Sequence, residues 1–160
     1  MLPEIKTIVY ASDLGQHTRP AMRMATSVAK QYNAKIIYLH VLEPLADTAR
    51  TLVSSYFSES EIDSKFAESA ASTKEHMKTR IEEFYQEELN DADPEIETEI
   101  KVITGRIEDV ILATADEVGA DMIVMGSRTH SVVGRMMMGS SANKIVHTSK
   151  IPVLVVPIYS

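Results

Sequence analysis

Residues 125–141 read Met-Gly-Ser-Arg-Thr-His-Ser-Val-Val-Gly-Arg-Met-Met-Met-Gly-Ser-Ser, and their types suit the binding of an anion. Gly126 lets the backbone pass close to another group, and Gly139 followed by Ser140 and Ser141 offers free N–H groups and hydroxyls at the start of a helix. The first N–H groups of a helix have no acceptor within it and carry the positive end of its dipole, so they attract phosphate. From Met122 to the last residue there is no Asp or Glu, whereas Arg128, Arg135, Lys144 and Lys150 all occur, so no local charge repels such a ligand. Gly and Ser are also ordinary loop residues, and a glycine pair alone is a weak motif. The rest of the chain has to decide between a phosphate loop and a plain connection.

Other groups that could do chemistry are few. Asp13 follows the apolar run 6–12 and so stands at the carboxyl end of a strand, where it either meets a ligand or turns the chain. His40 lies inside the apolar run 34–42 and reads better as a satisfied interior residue than as a ligand contact. His130 is the remaining base candidate, and a loop His is more often solvated than catalytic unless a partner orients it. The chain has no cysteine, which removes disulfides, thiolate chemistry and Cys-based zinc sites together. Its five His residues show no metal-ligand spacing, so no metal site is expected.

The elements that must position these residues alternate. Strands are expected at 6–12, 34–42, 96–104, 121–125 and 153–156, and helices at 18–33, 60–89, 105–118 and from Ser140 onward. The run 34–42 is almost continuously apolar, as suits a strand covered on both faces, whereas 96–104 alternates Ile96, Thr98, Ile100 and Val102 with charged residues, as an edge strand does. The first helix should turn Ala21, Met24, Ala25, Val28, Ala29 and Tyr32 inward, and the last should turn in Ala142, Ile145 and Val146. Residues 43–58 read as an irregular loop. This alternation predicts an α/β fold, an open parallel sheet with helices on both faces joined by right-handed crossovers. In such sheets ligands bind outside the carboxyl ends of the strands, where strand order reverses. If the first and fourth strands are neighbours, Asp13, Val41 and Gly126 meet at one crevice.

Composition bounds the function. A chain of 160 residues with 44% hydrophobic content suits a single domain over 1–160 with a real core. No stretch has the length and apolarity of a membrane span, and no leader is expected, so the reading is a cytoplasmic protein without a membrane partner. The net charge is −7, and residues 57–97 alone carry thirteen acids against Lys65, Lys74, Lys78 and Arg80, a balance of −9. Acidity on one segment reads as a solvated helix face, and without a basic face or Trp no nucleic-acid partner is expected.

With Asp13 after the first strand, Gly105-Arg-Ile-Glu-Asp-Val-Ile at the third helix, Met125-Gly-Ser-Arg, Gly139-Ser-Ser and a closing Ile-Pro-Val-Leu-Val-Val-Pro, the chain resembles the universal stress proteins. The resemblance spans nearly the whole chain. It implies a five-stranded parallel sheet in the order 3-2-1-4-5, a cytoplasmic dimer and, for one branch of the family, bound ATP, with or without magnesium. That branch carries Gly-x-x-Gly, nine residues, then Gly-Ser or Gly-Thr. Gly126, Gly139 and Ser140 match that spacing, and Thr129 replaces the second glycine, with its hydroxyl a candidate phosphate donor. Matching positions place Ala11, Asp13 and Val41 near the adenosine, and the phosphates among Gly126, Arg128, Thr129, Gly139, Ser140 and Ser141, with Met125 leading into that loop.

The resemblance therefore points to an ATP-binding regulatory protein of the stress response, a dimeric switch with no catalytic residue. A dimeric interaction module without nucleotide is the alternative, and an enzyme turning over ATP a third. The dimer is expected through strand 153–156, where Val153 and Val156 would lie on an apolar sheet edge that proteins usually cover or pair. The protein partner of such a switch is unknown from sequence.

Overall fold

The computed structural model describes residues 1–13, 18–128, 130–132, 135–137 and 139–158. Its main sheet has five parallel strands in the order β3-β2-β1-β4-β7, which is the predicted order once a small hairpin is set aside. These strands are β1 (Thr7–Ala11), β2 (Lys35–Leu42), β3 (Thr98–Thr104), β4 (Met122–Arg128) and β7 (Val153–Ile158). The hairpin pairs β5 (His130–Val132) with β6 (Arg135–Met137), antiparallel, inside the connection that follows β4. The helices are α1 (Arg19–Tyr32), α2 (Asp47–Ser54), α3 (Glu59–Glu88), α4 (Ile107–Glu117) and α5 (Ser140–Thr148).

Two cores flank the sheet because alternate strand residues face opposite ways. Ile8, Tyr10, Ile36, Tyr38 and Val124 face α1 and α3, meeting Ala21, Ala25, Met77, Ile81 and Phe84. Val9, Ile37, Leu39, Ile123 and Met125 face α4 and α5, meeting Ile111, Ala115, Ala142 and Ile145. The continuous apolar character of β2 follows from this, since both of its faces are covered. Tyr10 and Tyr38 meet edge to face, 5.4 Å between ring centroids. From Tyr38 a chain of hydroxyls runs outward. Thr98 Oγ1 donates its only proton to the Ile96 carbonyl at 3.1 Å, so it must accept from Tyr85 at 3.0 Å, and Tyr85 in turn accepts from Tyr38 at 2.8 Å. Burial pushes the Tyr38 and Tyr85 phenols above their ordinary range, so both donate as neutral groups at any physiological pH. At the amino end of the sheet, the Asp121 carboxylate accepts the backbone N–H groups of Lys6 and Thr7 at 2.8 and 3.0 Å, pinning β1 to the start of β4.

Four details differ from the sequence reading. α1 buries Met22 and Thr26 in place of Met24, which is 43% exposed, and Tyr32, because the helix shares one face of the sheet with α3 and its inner stripe is turned by about one residue. Val146 likewise stands outward, since α5 meets the sheet through Ala142 and Ile145 alone. Residues 43–58 hold a helix, α2, whose eight residues are too few for a clear periodic signal. β4 and β7 outrun their expected ends to Arg128 and Ile158, each satisfying the other's ladder; Pro157 is tolerated because β7 is an edge strand.

Candidate functional site

Because β1 lies between β2 and β4, its neighbours leave it in opposite directions along the sheet, and the order of connection reverses there. A cavity of about 660 Å³ opens at the strands' carboxyl ends there. That volume is in the range of small-molecule sites.

Its floor is backbone and apolar side chain. Ala11 pairs in register with Leu39 on one side and Met125 on the other, and all three line the cavity. Beyond Ala11 the β1–β2 ladder continues through Ser12 N–H to the Leu39 carbonyl at 2.8 Å. The Ser12 carbonyl then meets His40 Nδ1 at 2.8 Å. A carbonyl can only accept, so Nδ1 carries the proton, and the imidazole ties the end of β2 to the loop after β1. His40 is thus both the satisfied residue its apolar surroundings suggested and a cavity wall.

The first predicted group comes together here. Asp13 is exposed on the rim at the end of β1, and Val41 is half-buried on the wall that β2 provides. Glu43, two residues on from Val41, adds a second rim carboxylate. On the far side, Gly139, Ser140 and Ser141 bring the amino end of α5 to the cavity. Gly139 occupies the N-cap position with φ −55° and ψ 153°, and no side chain caps the helix. The first-turn N–H groups, which no helical carbonyl can satisfy, are therefore directed at this end of the cavity. α5 is held there by Ala142 and Ile145, buried against the sheet.

The two glycines play different parts. A Cβ on Gly139 would meet nothing among the described residues within 4 Å, and Gly139 lines the cavity. A Cβ on Gly126 would lie 2.2 Å from Ile158 Cδ1 and 3.1 Å from its Cγ1. The close approach that the sequence led one to expect at Gly126 is thus to the end of β7, and the strand runs on past it to Arg128. Arg128 closes β4 at the level of Ile158. Thr129 lies outside the described residues.

Several lining residues carried no signal as site residues. Ile107 and Ile111 look like the inner stripe of α4 and are, but that stripe reaches the cavity wall. Thr18 is buried at the foot of α1, where its carbonyl accepts from the Tyr10 hydroxyl at 3.5 Å and its hydroxyl from Arg80 at 3.3 Å. Burial first, and then the negative charge of Asp13, push the Tyr10 phenol well above its ordinary range. Glu43 could have been found by applying the strand-end rule to β2 as it was applied to β1. Among the described residues no cluster of three or more His, Asp or Glu could hold a metal ion.

A family model described as the universal stress protein family matches residues 4–157. A universal stress protein of Thermus aquaticus is 30% identical over 153 residues, covering 94% of this chain and 98% of its own. Two solved structures share the fold at lower identity. A universal stress protein in complex with cAMP superposes with a TM-score of 0.63 at 21% identity, covering 98% of this chain and 100% of its own. The universal stress protein from Archaeoglobus fulgidus in complex with dAMP gives 0.55 at 20% identity, covering 94% and 97%.

Proposed function

The chain belongs to the universal stress protein family, and from that premise we propose that it is a regulatory protein that binds ATP in the crevice at the ends of β1, β2 and β4. The observation that carries this reading is the uncapped amino end of α5, facing an open cavity in which Gly139 leaves room for a ligand atom. The nucleotides named with two relatives of the same fold support an adenine nucleotide.

In this reading Ala11, Asp13 and Val41 hold the adenosine. The Asp13 carboxylate accepts from a base or ribose group, and the apolar floor from Ala11 to Met125 receives a ring face. Gly126, Arg128, Thr129, Gly139, Ser140 and Ser141 surround the phosphates, with charge from the guanidinium and hydrogen bonds from hydroxyls and α5 N–H groups. Magnesium, where present, would be held mainly by the phosphates and water, since the rim carboxylates Asp13 and Glu43 lie at the adenosine side. Phosphoryl transfer needs a positioned metal and a group that orients the attacking atom. From Met122 onward the chain has no carboxylate for either task. Binding of this kind stabilises the ground state and gives affinity without acceleration, which suits a switch.

The test is a titration with labelled ATP, followed over time at stoichiometric protein. Gly139→Val should weaken binding at least tenfold, about 1.4 kcal/mol, and the wild type should hold its ATP uncleaved for minutes. An unchanged titration curve for the variant would end the reading, and phosphate release within seconds that His130→Ala abolishes would turn it into an enzyme.

The same reading makes the protein a cytoplasmic homodimer. β7 is a sheet edge whose Val153, Leu154 and Val155 are only partly buried, and pairing across a two-fold axis would satisfy its free groups. Light scattering should give twice the 17.8 kDa chain mass, falling to one chain for Val155→Glu. A wild-type monomer refutes the pairing.

A further inference from the structure

We propose that the hollow between α2 and the first half of α3 receives a basic amphipathic helix of another protein. The hollow has a volume of about 270 Å³, and its lining includes the apolar Leu45, Val53, Phe57, Ile62 and Phe66 and the charged Glu61 and Lys65. It is a different place from the crevice, and the argument for it does not depend on nucleotide.

Its apolar surface is unusual for a region with so little support. α2 contains no buried residue, and α3 buries Ile62 and then nothing until Met77, so both elements project from the sheet. Leu52 near the end of α2 and Tyr56 in the turn after it, the chain neighbours of the lining residues Val53 and Phe57, are 64% and 78% exposed, and Phe57 itself is 46% exposed. Single exposed apolar residues are ordinary, but here three large ones fall within six residues of the chain and one of them, Phe57, also lines the hollow, and clustered apolar exposure marks interaction sites. The hollow and the exposed apolar residues that adjoin its lining suit the helix-in-groove mode, in which a partner helix sets large side chains one and two turns apart into a groove.

The shape is also preorganised. Ser58 and Glu61 form a reciprocal capping box at the start of α3, with Ser58 N–H to the Glu61 carboxylate at 2.8 Å and Glu61 N–H to the Ser58 hydroxyl at 3.2 Å. Arg50 reaches across from α2 to Glu59 at 2.6 Å. The capping box fixes where α3 begins and the ion pair ties α2 to that first turn, so part of the shape is ordered before anything binds, which lowers the ordering cost of association.

Charge selects the occupant. Residues 47–69 carry Asp47, Glu59, Glu61, Asp63 and Glu68 against Arg50 and Lys65, five minus two, or −3. Over α3 as a whole nine acids face four cations, a balance of −5. A second copy of this chain would bring the same sign to the contact, and an anionic membrane would be repelled too. A helix with apolar residues on one side and Lys or Arg on the flanks is attracted and fits.

The probe is a fluorescein-labelled fourteen-residue peptide of Leu and Lys patterned for one apolar helix face, titrated by anisotropy. Three controls accompany it: the same composition scrambled, a Leu and Glu peptide of the same pattern, and vesicles of phosphatidylglycerol. The patterned basic peptide should bind at least tenfold more tightly than either control peptide. The double substitution Leu52→Ser with Tyr56→Ser, at exposed positions where folding is unaffected, should remove that advantage without changing the mass seen by light scattering. Equal binding by the scrambled peptide or by the double variant overturns the proposal. So does a change of mass in the variant, which would make the occupant a second copy, or vesicle sedimentation that the variant abolishes, which would make it a lipid surface.

Discussion

The crevice and the α2–α3 hollow are the two concavities with most to say about function, and they are built by opposite means. The crevice is made by backbone: β1 stops at Ala11, opposite Leu39 and Met125, while β2 and β4 run on to Leu42 and Arg128 on either side, and the amino end of α5 borders the space left at the strand order's reversal. The hollow is made by side chains on two helices that leave the sheet. A site of the first kind survives exchange of most side chains, because N–H groups and strand ends are supplied by any sequence with the same topology. A site of the second kind is only as durable as its five apolar residues.

The largest expected effect tests that difference in support. Ile145, fully buried beneath the crevice, should cost about 2–5 kcal/mol when replaced by Ala, whereas Leu52→Ser on the arm should change stability by less than about 0.5 kcal/mol. Urea unfolding of both variants reads the contrast, and comparable losses would mean that the arm is part of the cooperative core.

A smaller effect is expected at Gly126. A methyl group there must displace the end of Ile158, a flexible side chain, so Gly126→Ala should cost about 1 kcal/mol, at the low end for overpacking. Adding Ile158→Ala should recover most of the loss from Gly126→Ala if the contact is its cause, and simple addition of the two costs would show that it is not.

The smallest effect concerns pH and sharpens where the body's charge pairs matter. Arg23 beside Glu88, Lys30 beside Asp93 and Lys35 beside Glu99 hold those carboxyls below their ordinary range in the folded state. A depressed carboxyl pKa contributes stability that is present above the unfolded-state value and lost as pH falls through the folded-state value. Thermal stability should therefore decline modestly on acidification below the ordinary carboxylate range, and Glu88→Gln should flatten that decline. Because these pairs are exposed, added salt should shrink the difference. A variant with the same acid profile as the wild type would show that the Arg23–Glu88 pair contributes nothing.

Legibility followed how local each cause was. The strand at β2 could be read because both its faces needed apolar residues, and the strand order came from the family resemblance and holds in the structure. Asp13, Val41 and Gly126 could be placed at one crevice because each stands at the end of a strand, given that the first and fourth strands are neighbours, and all three line the cavity. Thr18, Ile107 and Ile158 could not, since nothing in their own neighbourhoods says which cavity they border. α2 was hidden by its length, and the turn of α1's inner stripe by the position of α3, 65 residues away in sequence at Glu88, where Arg23 of α1 is tied.

By itself, then, the amino-acid sequence determined the alternation of elements, the acidity concentrated in one helix, and an anion-friendly stretch free of carboxylates after Met122, because these are properties of residue type and spacing. Only the tertiary structure decided that Gly126 makes room for Ile158 while Gly139 opens on a cavity, and that α2 and α3 enclose an apolar hollow. The reason is physical: free space and close contact are relations between segments distant along the chain, and no single segment contains them.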